Sequence, residues 1–467
     1  MKITNIYIRD FEQFQNVELD FTDPGTGNPL EKICFIGRNG TGKSKILRML
    51  NGFFNSVLFN LKDPLNPLAL LGEGIKAKII YKIVHANKKF LIVYFERRVE
   101  ILNIEKYQKN AELELINSLL NLESVEEIRK IPDYANLVEG TRQKGFLDAL
   151  ILGNNSNDLV IYSTYESSNN GYLTITDVPQ TNVNDALSLF QNPPVFVEVS
   201  PNTVNDFWKL LVFNMRKREE ERNNYETLPE NINKIKARLI EEFDKLSPKI
   251  LNNLAEVWNE ILDSAGLEFD VKGANNPYQL KDNLKAYVKL KKNNQIIRYN
   301  ELSTGIRNFI FRIGHIYSLY FNRQIDRGFL LIDEPENGLF PDFLFDLMKI
   351  YQKIVLDKNG NNNTQLFFAT HNPIIAAQFK PFERVILDWN DDATVQVYKG
   401  VAPEGDDPND VLKKDFGLHE LMGPAGIEQW AKYLNLKKQL KNTQSSEDKM
   451  NIAAAINKIG QSYNFPA

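Results

Sequence analysis

The sequence predicts an α/β fold: a mixed β-sheet with an antiparallel β subdomain, a mostly helical insertion and a helical C-terminal tail. Three observations predict it. Short, largely apolar runs at 33–36, 329–332 and 365–368 have the length and composition of buried strands. The first two end at turn residues, Gly37 and Pro335, and the first leads into the helical spacing of Ile46, Leu47, Met49 and Leu50. The N-terminal residues instead alternate with period two, as an antiparallel hairpin does.

That hairpin comes first. Residues 3–14 and 17–21 read as its strands, with Ile6 and Ile8, then Val17, Leu19 and Phe21, on one face. The run Ile33, Cys34, Phe35, Ile36 then opens the segment Gly37, Arg38, Asn39, Gly40, Thr41, Gly42, Lys43, Ser44. Its glycines permit a tight turn that brings backbone N–H groups against phosphate oxygens. Lys43 can reach the β- and γ-phosphates of a nucleotide, and the Ser44 hydroxyl can ligate Mg²⁺. A helix N-terminus follows, where free N–H groups and the dipole favour anions. A ligand-free glycine turn is the alternative, and the strand before and helix after argue against it.

Residues 79–95 give two more strands around a turn at 85–89. Residues 101–200 are mixed, and residues 203–264 are mostly helical. Ile232, Ile235, Leu239, Phe243, Leu246, Ile250, Leu254, Val257 and Ile261 recur at three to four, an amphipathic stripe. Pro229 and Asn231 mark its expected start, and Pro248 should kink or split it. The charge run 216–222 reads as a solvated helix face with i,i+4 pairs. Residues 281–298 hold Lys281, Lys285, Lys289, Lys291, Lys292 and Arg298 against one acid, Asp282, with an Asn293-Asn294 turn. They read as a hairpin with a basic outer face. A solvated edge strand blunted by lysines is favoured over a contact to DNA phosphates or an acidic protein.

The remaining motifs carry chemistry. Ser303, in Leu302-Ser303-Thr304-Gly305, opens a helix marked by Ile306, Phe309, Ile310, Ile313, Ile316 and Tyr317, so its N-terminus can face an anion. An ordinary helix cap explains Ser303 equally. The run 329–332 ends in Asp333 and Glu334. Asp333 is enough to hold Mg²⁺ as in a Walker B strand, and Glu334 is placed to polarise an attacking water. His371 follows the strand at 365–368. Asp388, Asp391 and Asp392 lie in what reads as a hairpin turn between strands near 384–387 and 394–398, where such residues belong for backbone reasons rather than as a metal-dependent nuclease site.

Taken together, these motifs resemble the ATP-binding-cassette (ABC) ATPases, in the branch of SMC and RecF-like heads. The resemblance covers residues 1–100 and 270–400. It implies a P-loop NTPase head whose phosphate loop and Walker B strand bind ATP in cis. Ser303 and Gly305 would then cap the γ-phosphate held by the opposite protomer, and His371 would sense it. Two positions depart from the family: Ile306 replaces Gln or Glu, and Phe340 replaces Asp or His. Both are expected where one protomer reads the other's nucleotide. The resemblance divides the chain into an N-terminal head lobe (1–100), an insertion (101–270), a C-terminal head lobe (271–400) and a helical tail (401–467). Leu302-Ser303-Thr304-Gly305, which resembles the family's signature motif, lies about 260 residues after the phosphate loop, a spacing unlike transporter subunits. The insertion helices span only roughly 45 to 50 Å, far short of an SMC arm.

Composition sets bounds. The 467 residues suggest about three domains. Apolar content of 43% and charged content of 25% are ordinary for a globular protein with a large core. A net charge of −4 does not demand nucleic acid. No stretch approaches the ~20 apolar residues of a membrane span, and Arg9, Asp10, Glu12 and Asp20 interrupt any export signal. The single cysteine, Cys34, reads as a small buried hydrophobe, so a reducing cytoplasm is expected and a structural zinc site is not. Residues 406–416 and 434–440 resemble C-terminal segments of stand-alone defence ATPases.

The expected function is a Mg²⁺-ATP-driven switch in which two heads sandwich two ATPs. The resemblance to ATPase subunits of prokaryotic antiphage systems such as Septu and PARIS implies a separate, nuclease-like effector. The alternatives are a RecF-like DNA-repair ATPase that loads on DNA, and an ATP-binding scaffold that barely turns over.

Overall fold

The computed structural model describes residues 1–59, 77–95, 98–139, 141, 158–164, 195–200, 203–271, 288–297, 301–321, 325, 327–357 and 359–465. The N-terminal strands β1 (Lys2–Phe11), β2 (Phe14–Asp20), β4 (Lys78–His85), β5 (Lys88–Phe95) and β6 (Arg98–Asn103) form an antiparallel sheet in the order β2-β1-β4-β5-β6. The main sheet is built from β3 (Lys32–Gly37), β7 (Asp158–Ser163), β8 (Phe196–Val199), β12 (Arg327–Asp333), β13 (Thr364–Ala369), β14 (Arg384–Trp389) and β15 (Val395–Lys399). Its order is β15-β14-β3-β13-β12-β7-β8. Every neighbouring pair is parallel except β14 with β15.

The apolar runs are continuous because the central strands are buried on both faces. Leu330, Ile332, Leu366, Phe368, Cys34 and Ile36 point into a core shared with helices. Their alternates Phe329, Leu331, Phe367, Ile33 and Phe35 point into a second core shared with the antiparallel sheet and helix α1 (Lys43–Phe59). Gln365, next to the equally buried Thr364, is a polar exception. Its side chain accepts from Ile3 N at 2.9 Å and donates to the carbonyls of Ile3 and Leu30, at 2.9 and 3.0 Å, stitching the two sheets together. The outer face of the antiparallel sheet is covered by α2 (Lys109–Leu120) and α3 (Tyr134–Leu137).

The helical face holds α4 (Val204–Glu226), α5 (Lys236–Leu246), α6 (Ile250–Leu262), α7 (Thr304–Phe321), α8 (Pro341–Ile354) and α9 (Pro373–Ala377). Trp258 of α6 is buried there and donates its indole N–H to Ile310 O of α7 at 3.1 Å. Pro248 splits α5 from α6, as its ring and missing N–H require. The helix start expected at Asn231 is corrected: turns occupy 227–235 and α5 begins at Lys236. Ile232 and Ile235 matched the helical spacing by chance. They stand 67% and 77% exposed, and Leu246 is 67% exposed, so the buried stripe begins at Leu239. The charge run is a helix face carrying pairs such as Lys217–Glu221 at 3.8 Å and Arg222–Glu226 at 3.6 Å.

The basic hairpin is a small antiparallel sheet of β9 (Leu267–Phe269), β10 (Val288–Leu290) and β11 (Ile296–Ile297). Lys281, Lys285, Asp282 and Arg298 lie outside the described residues. Lys289 Nζ lies 3.8 Å from both Glu268 and Asp270, and Lys291 Nζ lies 2.7 Å from Asp263. These two lysines face acids of their own chain. Residues 401–465 carry α10 (Pro408–Lys414), α11 (Pro424–Asn442) and α12 (Ser446–Tyr463). A fully buried pair, Arg384 with Asp415 at 3.0 Å, fastens this segment to β14, and Asp415 also accepts the N–H groups of Val401 and Ala402. Trp430 and Tyr433 stack on α11, and Phe465, just beyond α12, meets both rings edge-on.

Candidate active site

Register brings the motifs together. Phe35 pairs with Ala369, and Ala369 pairs with Asp333, so β3, β13 and β12 end at one edge of the sheet. In parallel α/β sheets, ligands bind at this carboxyl edge. The loop 37–42 leaves β3 there. Gly37 holds φ +145° with its Cα pressed on Leu387 O, where an added Cβ would come within 2.0 Å. Thr41 is buried and its hydroxyl donates to Arg38 O at 2.8 Å, closing the loop on itself. Arg38 and Asn39 are exposed at its tip, with Arg38 Nε 3.5 Å from Asp388. Asp392 accepts the Thr394 N–H and hydroxyl, so the acidic turn spends this carboxylate on its own backbone.

Lys43 is buried at the start of α1 and donates to the carbonyls of Gly37 at 2.9 Å and Arg38 at 3.1 Å. Burial lowers its pKa to about 8, against the opposing pull of Asp333, Glu334 and Glu336. Ser44 Oγ donates to Asp333 Oδ1 at 3.0 Å, so the two predicted metal ligands touch. Burial raises the Asp333 carboxyl, partly offset by this hydrogen bond. A hydroxyl at the start of α1 and a part-buried carboxylate at the end of β12 suit the hard, oxygen-preferring Mg²⁺.

Glu334 sits at φ 44°, in the left-handed region that a side chain adopts at a cost of order 1–3 kcal/mol. Its N–H donates to Ala369 O at 2.9 Å. Its carboxylate accepts from Asn337 Nδ2 at 3.1 Å and lies 3.8 Å from His371 Nε2. Both side chains are half-exposed, at 39% and 40%, and so open to a water. Burial, then the Lys43 charge, lowers the His371 pKa, favouring a neutral ring.

Three contributors were not legible from motifs. Arg312, buried on α7, donates from Nε to Ser163 Oγ at 2.6 Å and from its terminal nitrogens to Ser163 O at 3.0 Å, to Glu334 O at 2.9 Å and to Asp333 O. It joins α7 to the backbone that carries both carboxylates. Asn337 holds Glu334 as above. Glu336 accepts the Thr370 hydroxyl at 2.6 Å and the His371 N–H at 3.1 Å. Its distance from Asp333 along the chain is a weak signal, and Arg312 gives none: its partner Ser163 is 149 positions away.

The signature is placed differently. Ser303 is exposed, and its hydroxyl accepts Ile306 N–H at 3.3 Å as a helix cap. Gly305 packs on Gly338, where a Cβ would lie 1.6 Å from Gly338 O. It therefore has a reason within its own chain. The expectation that Ile306 reads a partner's nucleotide is corrected: Ile306 is buried in the helical core, on the inward face of α7. Phe340 is 63% exposed beside Phe343. Among the described residues, no helix is long and apolar enough to cross a membrane. No curated protein matches the chain. A family model described as an AAA ATPase domain matches residues 1–376, and the chain belongs to that family.

Proposed function

We propose that the chain is a Mg²⁺-dependent ATPase head of the ABC type that pairs with a second copy across two ATPs and acts as a nucleotide-gated switch. The observation that carries this reading is the junction of Ser44 with Asp333 at 3.0 Å, directly beside the left-handed Glu334. Lys43 holds loop carbonyls that it can exchange for phosphate oxygens. Mg²⁺ held by Ser44 and Asp333 would neutralise charge on the β- and γ-phosphates. Glu334 takes a proton from the attacking water as its oxygen bonds to the γ-phosphorus, and the bond to the bridging oxygen breaks to release ADP. His371, held near Glu334, senses the γ-phosphate. Ser303, exposed at the N-terminus of α7, serves the partner's nucleotide.

The motifs serve ATP binding and hydrolysis, and the reading is of a switch that gates an assembly. The resemblance of its motifs to ATPase subunits of antiphage systems supports a separate, nuclease-like effector in the cytoplasm as the thing gated. The DNA-loading alternative loses support from Lys289 and Lys291, which face Glu268, Asp270 and Asp263. The test is Glu334→Gln. ATP binding by calorimetry should persist while turnover falls roughly 10²-fold or more, and ATP-bound oligomers should accumulate. Hydrolysis at the unmodified rate would remove Glu334 as the base.

A further inference from the structure

We infer that Glu336 is a positioning residue that sets the switch histidine against Glu334, and so links the loop on the signature side to the catalytic carboxylate. The inference rests on the proposed roles of Glu334 and His371 and adds the residue through which they are held in register.

The strands make the contact possible. Parallel pairing of Asp333 with Ala369 puts the two following loops side by side, and the Glu334 N–H to Ala369 O bond joins them first. Pro335 then turns the chain, and Glu336 reaches back across to the β13 loop. One oxygen, Oε1, takes both the Thr370 hydroxyl and the His371 N–H. Thr370 is itself fixed on the far side, its N–H donating to Phe35 O at 3.1 Å and its hydroxyl accepting Asn372 N–H at 2.9 Å. The carboxylate therefore immobilises the backbone of His371, leaving its ring half-exposed and 3.8 Å from Glu334.

The second oxygen, Oε2, is sealed from solvent with no hydrogen-bond partner among the described residues. A buried, unpaired carboxylate oxygen is costly, and such groups call for a functional reason. The carbonyl of Glu336 accepts Leu339 N–H at 3.0 Å, which makes Glu336 the first residue of the turn whose Gly338 lies against Gly305. A shift of the signature helix against that turn would thus reach His371 through one side chain.

The experiment is a double-mutant cycle on the full chain with ATP. Glu336→Ala should lower kcat roughly 10-fold or more, in the range for residues that orient a functional group, with KM little changed. Glu336→Gln keeps an oxygen acceptor and should restore most of the rate, which also separates the effect from misfolding. In a His371→Ala background, Glu336→Ala should add little further loss, because it acts through the histidine. Additive losses, or a Glu336→Gln enzyme as slow as Glu336→Ala, would overturn the inference while leaving the ATPase reading intact. A wild-type chain that neither binds nor hydrolyses ATP would overturn the ATPase reading itself.

Discussion

Two halves of the proposed nucleotide site are built to different standards within this chain. Lys43, Ser44, Asp333, Glu334 and His371 converge from three adjacent strand ends and hold one another through loop carbonyls, a hydroxyl–carboxylate bond and a carboxylate–imidazole approach. Ser303 and Phe340 are exposed; Ser303 caps its own helix and Phe340 packs beside Phe343. The first half pre-organises charge in a partly buried setting, where electrostatic interactions are strongest. The second presents a helix N-terminus to the outside, where it is useful only if something docks. A chain complete in both halves would bring Ser303 onto its own phosphate loop.

The comparison breaks most readily at the tie between the halves. Arg312→Ala removes the guanidinium from buried Ser163 and from the part-buried carbonyls of Asp333 and Glu334, each lost contact to a buried acceptor costing about 1–3 kcal/mol. Stability should fall by roughly 2–4 kcal/mol in denaturant titration, with turnover falling further than ATP affinity. A loss under about 0.5 kcal/mol, the scale of a surface change, would mean that the two halves are not joined there.

A smaller effect is expected from the histidine on the same helix. His315 is buried against Phe207, and burial lowers its pKa to about 3. Folding therefore favours the neutral ring. Its contribution is fully present above the unfolded value near 6.5 and is lost as pH falls from there towards about 3, at up to about 1.4 kcal/mol per pH unit. His315→Asn should flatten the fall of melting temperature between pH 6.5 and 4.5; an unchanged slope would place the acid sensitivity elsewhere.

The cis half was legible in the sequence because its chemistry is local. A glycine loop between a strand and a helix, and two acids at the end of an apolar run, are contiguous signals. The central strands β3, β12 and β13 were legible because burial on both faces leaves little room for polar residues, whereas β7 and β8, in the mixed stretch 101–200, were not. Glu336, Asn337 and Arg312 were not, because their roles depend on which strand ends lie side by side. The same limit misplaced the start of α5, since Ile232 and Ile235 kept helical spacing without any surface to cover. It also left Gly305 with one meaning, when its approach to Gly338 supplies a second.

The smallest effect is predicted outside both halves. Replacing Lys289, Lys291 and Lys292 together by Gln should cost no more than about 1 kcal/mol for each exposed pair and leave ATPase activity unchanged. The full chain should show no salt-sensitive duplex binding to lose. Tight duplex binding whose salt dependence flattens in the triple variant would restore the DNA-loading reading.

The division into a self-contained half and an offered half is tested most directly by mixing two dead variants. Lys43→Ala disables the phosphate loop and Ser303→Arg blocks the signature, so each alone should be inactive. A mixed pair holds one site with both defects and one with neither. Equal mixing of a two-fold pair should therefore recover about a quarter of wild-type turnover. No recovery, with mixed pairs shown to form, would contradict the account and mean that one chain completes its own site or that both sites must fire together.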